Sequence, residues 1–347
     1  TWTDVQQMAI MFVGIASALV STVWMLPQGV SLSDALYLAG ASGKLNAVDL
    51  SFDWKNRYNL WSGLIGGMFL ALSYFGCDQS QVQRYLTGKS IRHSRVSLIF
   101  NATVKVPMQF VILLTGALVY VFFLFERPPM LFNAAEAAQV RTAGAYAETE
   151  ERYNQAFEER RQASTALLAS RNGAAHERYL AAQKGLEGAR REGMDVARRA
   201  TGRDYNDTNY IFLTFVTRYL PAGLVGLIIA AIFAAAMSTI SAELNSLATS
   251  TVIDLYRRLW RPDASDPHYV LVSRLATAFW GVYAMVFAFF GSRLGSLIEA
   301  VNMVGSLFYG SVLGVFVLAF GVRRANGNGA FFGLFAGLAA VWWANRH

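Results

Sequence analysis

The chain has 347 residues, of which 54% are hydrophobic, with a positive mean hydropathy and a formal net charge of +7. This composition is too apolar for an ordinary soluble domain, and the length is too great for a single membrane anchor. We therefore predict an all-α membrane protein that crosses the bilayer several times.

In chain order, seven windows are apolar and long enough to cross a bilayer. Backbone donors in lipid must be satisfied within one segment, so each window is expected to be a helix. The windows lie near residues 7–26, 60–77, 99–125, 219–242, 270–290, 296–320 and 329–345. The chain begins at Thr1, without an initiator Met, and ends directly after an apolar window. We expect both ends to be truncations; a native seven-helix protein is the alternative.

The second window ends in a polar run that follows a Gly among aromatic residues. Tyr74, Phe75 and Gly76 precede Asp78 and Gln79. This pattern predicts a broken or hinged helix beside a cavity.

Between the third and fourth windows, residues 131–208 carry about 12 basic and about 12 acidic side chains. Asn172-Gly173 is a turn signal between strong helix formers, so we predict a hairpin of two antiparallel helices. Its sparse apolar residues predict a thin seam between the helices and not a globular core. These residues are mainly Tyr153, Phe157, Leu167, Leu168, Tyr179, Leu180 and Leu186. The predicted organisation is a membrane part at 1–130, a charged helical hairpin at 131–208 and a membrane part at 209–347.

The positive excess belongs to the membrane part of the chain. Basic residues near the ends of membrane helices usually stay in the cytosol. They follow the second, fourth and sixth windows, at Arg84, Lys89, Arg92, Arg95, Arg257, Arg258, Arg261, Arg274, Arg323 and Arg324. We therefore expect a multi-pass protein of the cell membrane with an extracytoplasmic hairpin, and we attribute the charge to topology and not to nucleic-acid binding.

Enzyme motifs are absent from the sequence. There is no HExxH, GxSxG, phosphate loop or paired-Cys pattern, and the four His residues are isolated. We expect a protein that is not an enzyme. The informative residues are then polar side chains inside apolar windows, because lipid makes each of them costly unless it faces the bundle interior or water.

The fourth window carries several hydroxyl groups, in the stretch AAAMSTISAELNS. Ser238, Ser241 and Asn245 share one helix face, and Thr239 lies beside Ser238. Hydroxyl and carbonyl oxygens are ligands that a hard cation such as Na⁺ prefers. Alternatively, Ser and Thr in membrane helices bond back to their own turn or link helices, and spacing alone favours this alternative.

Lys105 lies a few residues inside the third window, close to Pro107. A Lys in this place either extends towards the membrane surface or contacts a solute.

Two long stretches resemble the sodium:solute symporter family, which includes sugar, inositol, proline, sialic acid and iodide cotransporters. They are YFGCDQSQVQRYLTGKS, from Tyr74 to Ser90, and LPAGLVGLIIAAIFAAAMSTISAELNSLATSTVIDLY, from Leu220 to Tyr256. Weaker similarity occurs in WTDVQ, from Trp2 to Gln6. The resemblance implies a partial inverted-repeat, leucine-transporter-like helix bundle, with core helices 5 to 7 before the hairpin and 8 to 11 after it.

The resemblance also implies two ion sites. A sodium site is implied for the carbonyl of Ala235 and the hydroxyls of Ser238 and Thr239. A possible further sodium site is implied for Asp4 and Ser241, although the next position is Ala where members with this site tend to have Ser.

For the solute, the resemblance implies that Tyr74 closes the site from the cytosol and that Lys105 and Asn302 contact the solute. The sugar-binding amide of the family aligns with Ala71, which disfavours a hexose.

We therefore expect a symporter that couples Na⁺ entry to import of a small polar organic solute or anion by alternating access. Its partners would be the solute, Na⁺ and the lipid bilayer. The alternative function is a transporter-like membrane sensor or scaffold that binds a ligand or partner without transport.

Overall fold

The computed structural model describes residues 2–46, 48–53, 56, 59–141, 144–202, 205–291 and 297–344. Within these ranges the chain forms thirteen α-helices and one π-helix, and no strand. The first seven are α1 (Trp2–Trp24), α2 (Leu32–Ala41), α3 (Leu60–Cys77), α4 (Gln79–Leu86), α5 (Ile91–Phe125), α6 (Ala134–Val140) and α7 (Gly144–Ser170). The others are α8 (Gly173–Thr201), α9 (Tyr210–Tyr219), α10 (Ala222–Thr249), the π-helix Ser250–Trp260, α11 (Asp266–Gly291), α12 (Leu297–Gly321) and α13 (Gly327–Ala344).

In the described part of the chain, seven helices are long and apolar enough to cross a membrane, as judged from length and composition. They span Asp4–Trp24, Leu60–Cys77, Ile91–Phe125, Ala222–Trp260, Asp266–Phe290, Val301–Gly321 and Gly327–Ala344. The prediction of seven membrane helices is therefore confirmed. The third and fourth are longer than predicted, because α5 begins among basic residues and α10 continues into the π-helix.

The predicted break in the second membrane helix lies at Asp78, between α3 and α4. Its backbone is extended, and its side chain accepts a hydrogen bond from the Ser80 N–H at 2.8 Å. A short carboxylate that caps a new helix in this way stops the preceding one. The prediction of a broken helix is confirmed, two residues after Gly76.

The chain divides into two compact units. Unit 1 comprises Thr1–Ala47 and Thr103–Ala235, and unit 2 comprises Val48–Ala102 and Ala236–His347. In unit 1, buried clusters join α1, α2, α5 and the hairpin. In unit 2, α12 packs against both α3 and α13.

The hairpin consists of α7 and α8, which turn at Asn172 as predicted. The Asn172 side chain caps α8 by accepting a hydrogen bond from the Ala175 N–H at 2.9 Å. Five of the predicted seam residues are buried, namely Tyr153, Phe157, Leu167, Tyr179 and Leu186. Leu180 was wrongly assigned to the seam: it is 43% exposed. Adjacent residues of a helix point about 100° apart, so burial of Tyr179 turns Leu180 outward.

The hairpin seam continues into the core of unit 1. Leu167 and Tyr179 share a buried cluster with Leu38 of α2 and with Leu118 and Val121 of α5. The seam is therefore not confined to the two hairpin helices.

The tip of the hairpin docks on α2. Arg171 forms an ion pair with Asp34, and the His176 Nε2 lies 3.0 Å from the carbonyl oxygen of Ala41. Hydrogen bonds from Ser31, with a smaller contribution from Arg171, lower the pKa of the Asp34 carboxyl. These polar contacts fix the hairpin at its far end.

Halfway along the hairpin, the buried Arg160 joins α7 to the end of α5. Its guanidinium donates to the carbonyl oxygen of Phe123 at 2.5 Å and to the Gln183 side chain at 3.3 Å. The last carbonyls of a helix lack partners within it, so a cation here satisfies one of them. Burial lowers the pKa of Arg160.

At its base, the hairpin is held by Asp207, which is 1% exposed. The carboxylate accepts hydrogen bonds from the Phe132 N–H at 2.7 Å, the Tyr205 hydroxyl at 3.0 Å and the Arg190 guanidinium at 2.5 Å. Buried charges are tolerated when they are paired and hydrogen-bonded, and this one meets both conditions. The network ties α8 to the segment that follows α5.

Candidate functional site

The predicted sodium ligands Ala235, Ser238 and Thr239 lie within one uninterrupted stretch of α10. Ala235 and Ser238 are half-buried, and Thr239 is exposed. Helical geometry places both hydroxyls within one turn of the Ala235 carbonyl. Carbonyl and hydroxyl oxygens are the hard donors that a cation such as Na⁺ prefers. The local arrangement thus offers three hard oxygen atoms, and their role as ligands stays a prediction.

Ser241 shows the alternative role of hydroxyls in membrane helices, which is to bond back to the carbonyl of their own turn instead of binding an ion. Its hydroxyl donates a hydrogen bond to the Ser238 carbonyl at 3.0 Å. This bond uses the proton but leaves the oxygen lone pairs available. Asp4, the other predicted ligand of the further ion site, lies in the first turn of α1 and is exposed. Asp4 belongs to unit 1 and Ser241 to unit 2, and their joint role stays a prediction.

Tyr74, the predicted cytosolic closure of the solute site, lies near the end of α3 and is half-buried. Its hydroxyl accepts a hydrogen bond from the Gln81 Nε2 at 2.8 Å. Gln81 is 8% exposed and belongs to α4, beyond the break at Asp78. The two sides of the broken helix are therefore connected through a buried amide.

In unit 2, the helix α3, which carries Tyr74, packs against α12. The neighbouring Ser73 donates a hydrogen bond from its hydroxyl to the Tyr309 carbonyl of α12 at 3.2 Å. Asn302, a predicted solute contact, is an exposed residue near the start of the same helix.

Lys105, the third predicted solute contact, is an exposed residue of α5, two residues before Pro107. It belongs to unit 1, whereas Tyr74 and Asn302 belong to unit 2. Each unit thus carries part of the predicted solute set.

The sequence reasoning missed Gln81 as a partner of Tyr74. The two residues are seven positions apart, which is two turns of a helix, so one shared face was the available signal. Helical periodicity does not extend across a break, and the break at Asp78 lies between the two residues, so the spacing did not predict their contact.

The structure and sequence of the chain are similar to those of known transport proteins. The model of the sodium:solute symporter family matches residues 184–337, which include α10. The sodium-dependent multivitamin transporter of Oryctolagus cuniculus is 26% identical over 99% of this chain and 42% of its own length. The sodium-coupled monocarboxylate transporter 1 of Homo sapiens is 26% identical over 99% of this chain and 44% of its own length. The chain therefore spans less than half the length of these curated relatives.

A more local match is the sodium/sialic acid symporter NanT of Aliivibrio fischeri, which is 35% identical over 40% of this chain and 27% of its own length. Among solved structures, a substrate-bound, outward-open Na⁺-coupled sialic acid symporter has a TM-score of 0.61 and 20% identity. It covers 98% of this chain, and this chain covers 60% of it. The predicted all-α, leucine-transporter-like fold is confirmed. The chain is similar to members of the sodium:solute symporter family, and its described part holds seven helices that are long and apolar enough to cross a membrane.

Proposed function

We propose that the protein containing this chain is a sodium-coupled secondary active symporter that imports a small polar organic solute or anion by alternating access. The observation that carries the proposal is the group of hard oxygen atoms on α10, at Ala235, Ser238 and Thr239, inside the segment matched by the family model. Na⁺ is the coupling ion in this proposal. No step in it requires catalysis.

The energy available from one Na⁺ is adequate for moderate accumulation. One inward-moving charge gains roughly 2.3 kcal/mol per 100 mV. A tenfold Na⁺ gradient adds about 1.4 kcal/mol. For a neutral solute, these terms together support accumulation by up to several hundredfold. A monoanion that enters with one Na⁺ moves no net charge, so the concentration term alone remains, and a second Na⁺ is needed to use the membrane potential.

For the solute, we propose a small organic acid. Lys105 supplies a cation in a membrane helix, and its ammonium group can form a charge-assisted hydrogen bond with the carboxylate of such a solute. Two relatives named above transport a monocarboxylate and sialic acid by name. Ala71 offers no side-chain hydrogen bond to a sugar hydroxyl. Tyr74 then closes the site from the cytosol, and Asn302 contacts a polar group of the solute.

The further ion site and the topology complete the proposal. Asp4 and Ser241 supply a carboxylate and a hydroxyl for a second Na⁺. The membrane parts 1–130 and 209–347 lie in the cell membrane, and the hairpin at 131–208 is extracytoplasmic. The distribution of basic residues supports this orientation.

The test is uptake into proteoliposomes by the protein encoded by the whole reading frame that contains this chain. Radiolabelled monocarboxylates and sialic acid are supplied with an inward Na⁺ gradient or with K⁺ in its place. We expect accumulation above the equilibrium level only with the Na⁺ gradient. Solute binding to the purified protein without accumulation would support the sensor or scaffold function instead and would overturn transport.

A further inference from the structure

Three arginines line one cavity at the base of the hairpin. The cavity has a volume of about 350 Å³, and its charged and amide side chains are Arg127, Arg141, Arg218, Glu150 and Asn154. The arginines come from three places in unit 1: the segment after α5, the end of α6 and the last turn of α9.

The charge of this cavity is not balanced. Three guanidinium groups face one carboxylate, that of Glu150, which accepts a hydrogen bond from the Tyr146 hydroxyl at 3.3 Å. Over the described ranges, none of the three arginines forms an ion pair. The cavity therefore has an excess of positive charge with donors available for an anion.

An adjoining cavity gives a contrast. It shares Arg127 and Arg218 with the first, and its other charged residues are Glu126, Glu158 and Arg161. Arg161 and Glu158 form an ion pair at 2.8 Å. The second cavity has two carboxylates for its three arginines, whereas the first has one carboxylate for three, so we place an anion in the first.

The segment that carries Arg127 is held by its own carbonyl groups. The Pro128 carbonyl accepts a hydrogen bond from the Tyr153 hydroxyl at 3.4 Å, and the Met130 carbonyl accepts one from the Arg190 Nε at 3.3 Å. A backbone fixed in this way lowers the entropy lost when a ligand is bound.

The cavity lies at the level where the membrane spans end. Arg127 follows the end of α5 at Phe125 by two residues, and Arg218 precedes the start of α10 at Ala222 by four. Beside them is an aromatic cluster in which the ring of Phe122 lies 4.9 Å from that of Tyr219. Of these two residues, Phe122 is buried, and Tyr219 is of the type that is enriched at the headgroup level.

We propose that the Arg127, Arg141 and Arg218 cavity binds the phosphate group of an anionic lipid headgroup. The planar guanidinium donates paired hydrogen bonds that match a phosphate. A dissolved phosphate ion offers the same chemistry, but the position of the cavity at the membrane surface favours the group that lipid presents there at high local concentration. Arg218 also compensates the carboxyl end of α9, a role that does not require Arg127 or Arg141.

The test measures the melting temperature of the purified chain in a neutral detergent during three titrations. The probes are dioctanoyl phosphatidylglycerol, dioctanoyl phosphatidylcholine and inorganic phosphate. A ligand of the folded state raises the melting temperature in a saturable way. The variants are Arg127→Gln, Arg141→Gln and Arg218→Gln, and the matched control is Arg178→Gln, an exposed residue of α8 that does not line the cavity.

We expect phosphatidylglycerol alone to give a saturable rise. Each cavity variant should weaken its apparent affinity by about tenfold, the effect of losing one charge-assisted contact. The control should stay within twofold of the unsubstituted chain. Since a variant can itself destabilise the fold, native mass spectrometry then counts phosphatidylglycerol retained through purification, which should fall in the cavity variants and not in the control.

Two results would overturn this assignment. An equal response of all variants and the control to phosphatidylglycerol would mean that the lipid binds elsewhere or by charge alone. Saturation by inorganic phosphate, without preference for phosphatidylglycerol over phosphatidylcholine, would make the cavity a site for a soluble anion.

Discussion

Gln81 donates a hydrogen bond from its side-chain amide to the Tyr74 hydroxyl at 2.8 Å, across the helix break at Asp78. Tyr74 lies in the last turn of α3 and Gln81 in the first turn of α4, so the bond constrains the angle at which the two segments meet. If Tyr74 closes the solute site, Gln81 sets the position of that closure.

Removal of either partner should weaken solute uptake to a similar degree. A hydrogen bond of this type contributes about 1 kcal/mol, so Gln81→Leu and Tyr74→Phe should each raise the KM for uptake by roughly fivefold. The double variant should be no worse than either single one, because both changes remove the same bond. Gln79→Leu, an exposed amide of α4, is the control and should leave KM unchanged. Additive effects of Gln81→Leu and Tyr74→Phe would contradict the connection.

The buried carboxylate at the hairpin base, Asp207, should contribute far more to the free energy of unfolding than an exposed carboxylate does. Asp207→Asn leaves the Arg190 guanidinium without its anion and should lower the free energy of unfolding by roughly 3 kcal/mol or more. Glu192→Gln breaks the pair with Arg152, whose side chains are both about half exposed, and should cost at most about 1 kcal/mol. Denaturant titration of the detergent-purified chain measures both. Equal small losses would mean that Asp207 does not hold the hairpin base.

Alkaline pH should weaken the hairpin through Tyr153. Burial raises the pKa of its phenol from the ordinary value of 10 to about 12. Because the folded pKa lies above the unfolded one, the stabilisation is fully present below pH 10 and is lost as the pH rises to about 12. The loss amounts to about 3 kcal/mol, at about 1.4 kcal/mol per pH unit. The measurement is the phenolate absorbance of the unsubstituted chain minus that of Tyr153→Phe, followed against pH. We expect this difference to titrate near pH 12. Titration near pH 10 would contradict the burial of Tyr153.

The close contact between α1 and α10 in unit 1 leaves no space for an added methyl group at Gly14. A Cβ atom built on Gly14 of α1 would lie 2.6 Å from the Cβ of Ala231 in α10. Small residues permit such approaches between membrane helices, and overpacking costs about 1 to 3 kcal/mol. Gly14→Ala should therefore lower the melting temperature, whereas Gly226→Ala, where a Cβ meets nothing within 4 Å, should not. Identical melting temperatures for the two variants would argue against the contact.

Local signals in the sequence predicted the elements well. Apolar windows predicted the seven spans, Asn172-Gly173 predicted the hairpin turn, and the polar run after Gly76 predicted the helix break. Each of these signals acts within one or two turns of chain, so periodicity and turn chemistry were sufficient.

Contacts between distant segments could not be predicted in the same way. Asp207 binds the N–H of Phe132, 75 residues earlier, and Arg160 binds the carbonyl of Phe123, 37 residues earlier. No periodicity connects such positions, so the anchoring of the hairpin to the rest of unit 1 was missed. Of the candidate site, the position of Ala235, Ser238 and Thr239 on one helix followed from the sequence, whereas the Tyr74 to Gln81 bond required the structure.

The central claim, that α10 carries a sodium site, is tested most directly by the Na⁺ concentration that gives half-maximal uptake. It is measured for the unsubstituted protein, Ser238→Ala, Thr239→Ala and Ser241→Ala, all at saturating solute. We expect Ser238→Ala and Thr239→Ala each to raise this concentration by about tenfold, since each removes one oxygen ligand. Ser241→Ala should raise it by less than either, because this hydroxyl belongs to the further Na⁺ site and is also bonded to its own helix. An unchanged Na⁺ dependence in both Ser238→Ala and Thr239→Ala would contradict the sodium site on α10.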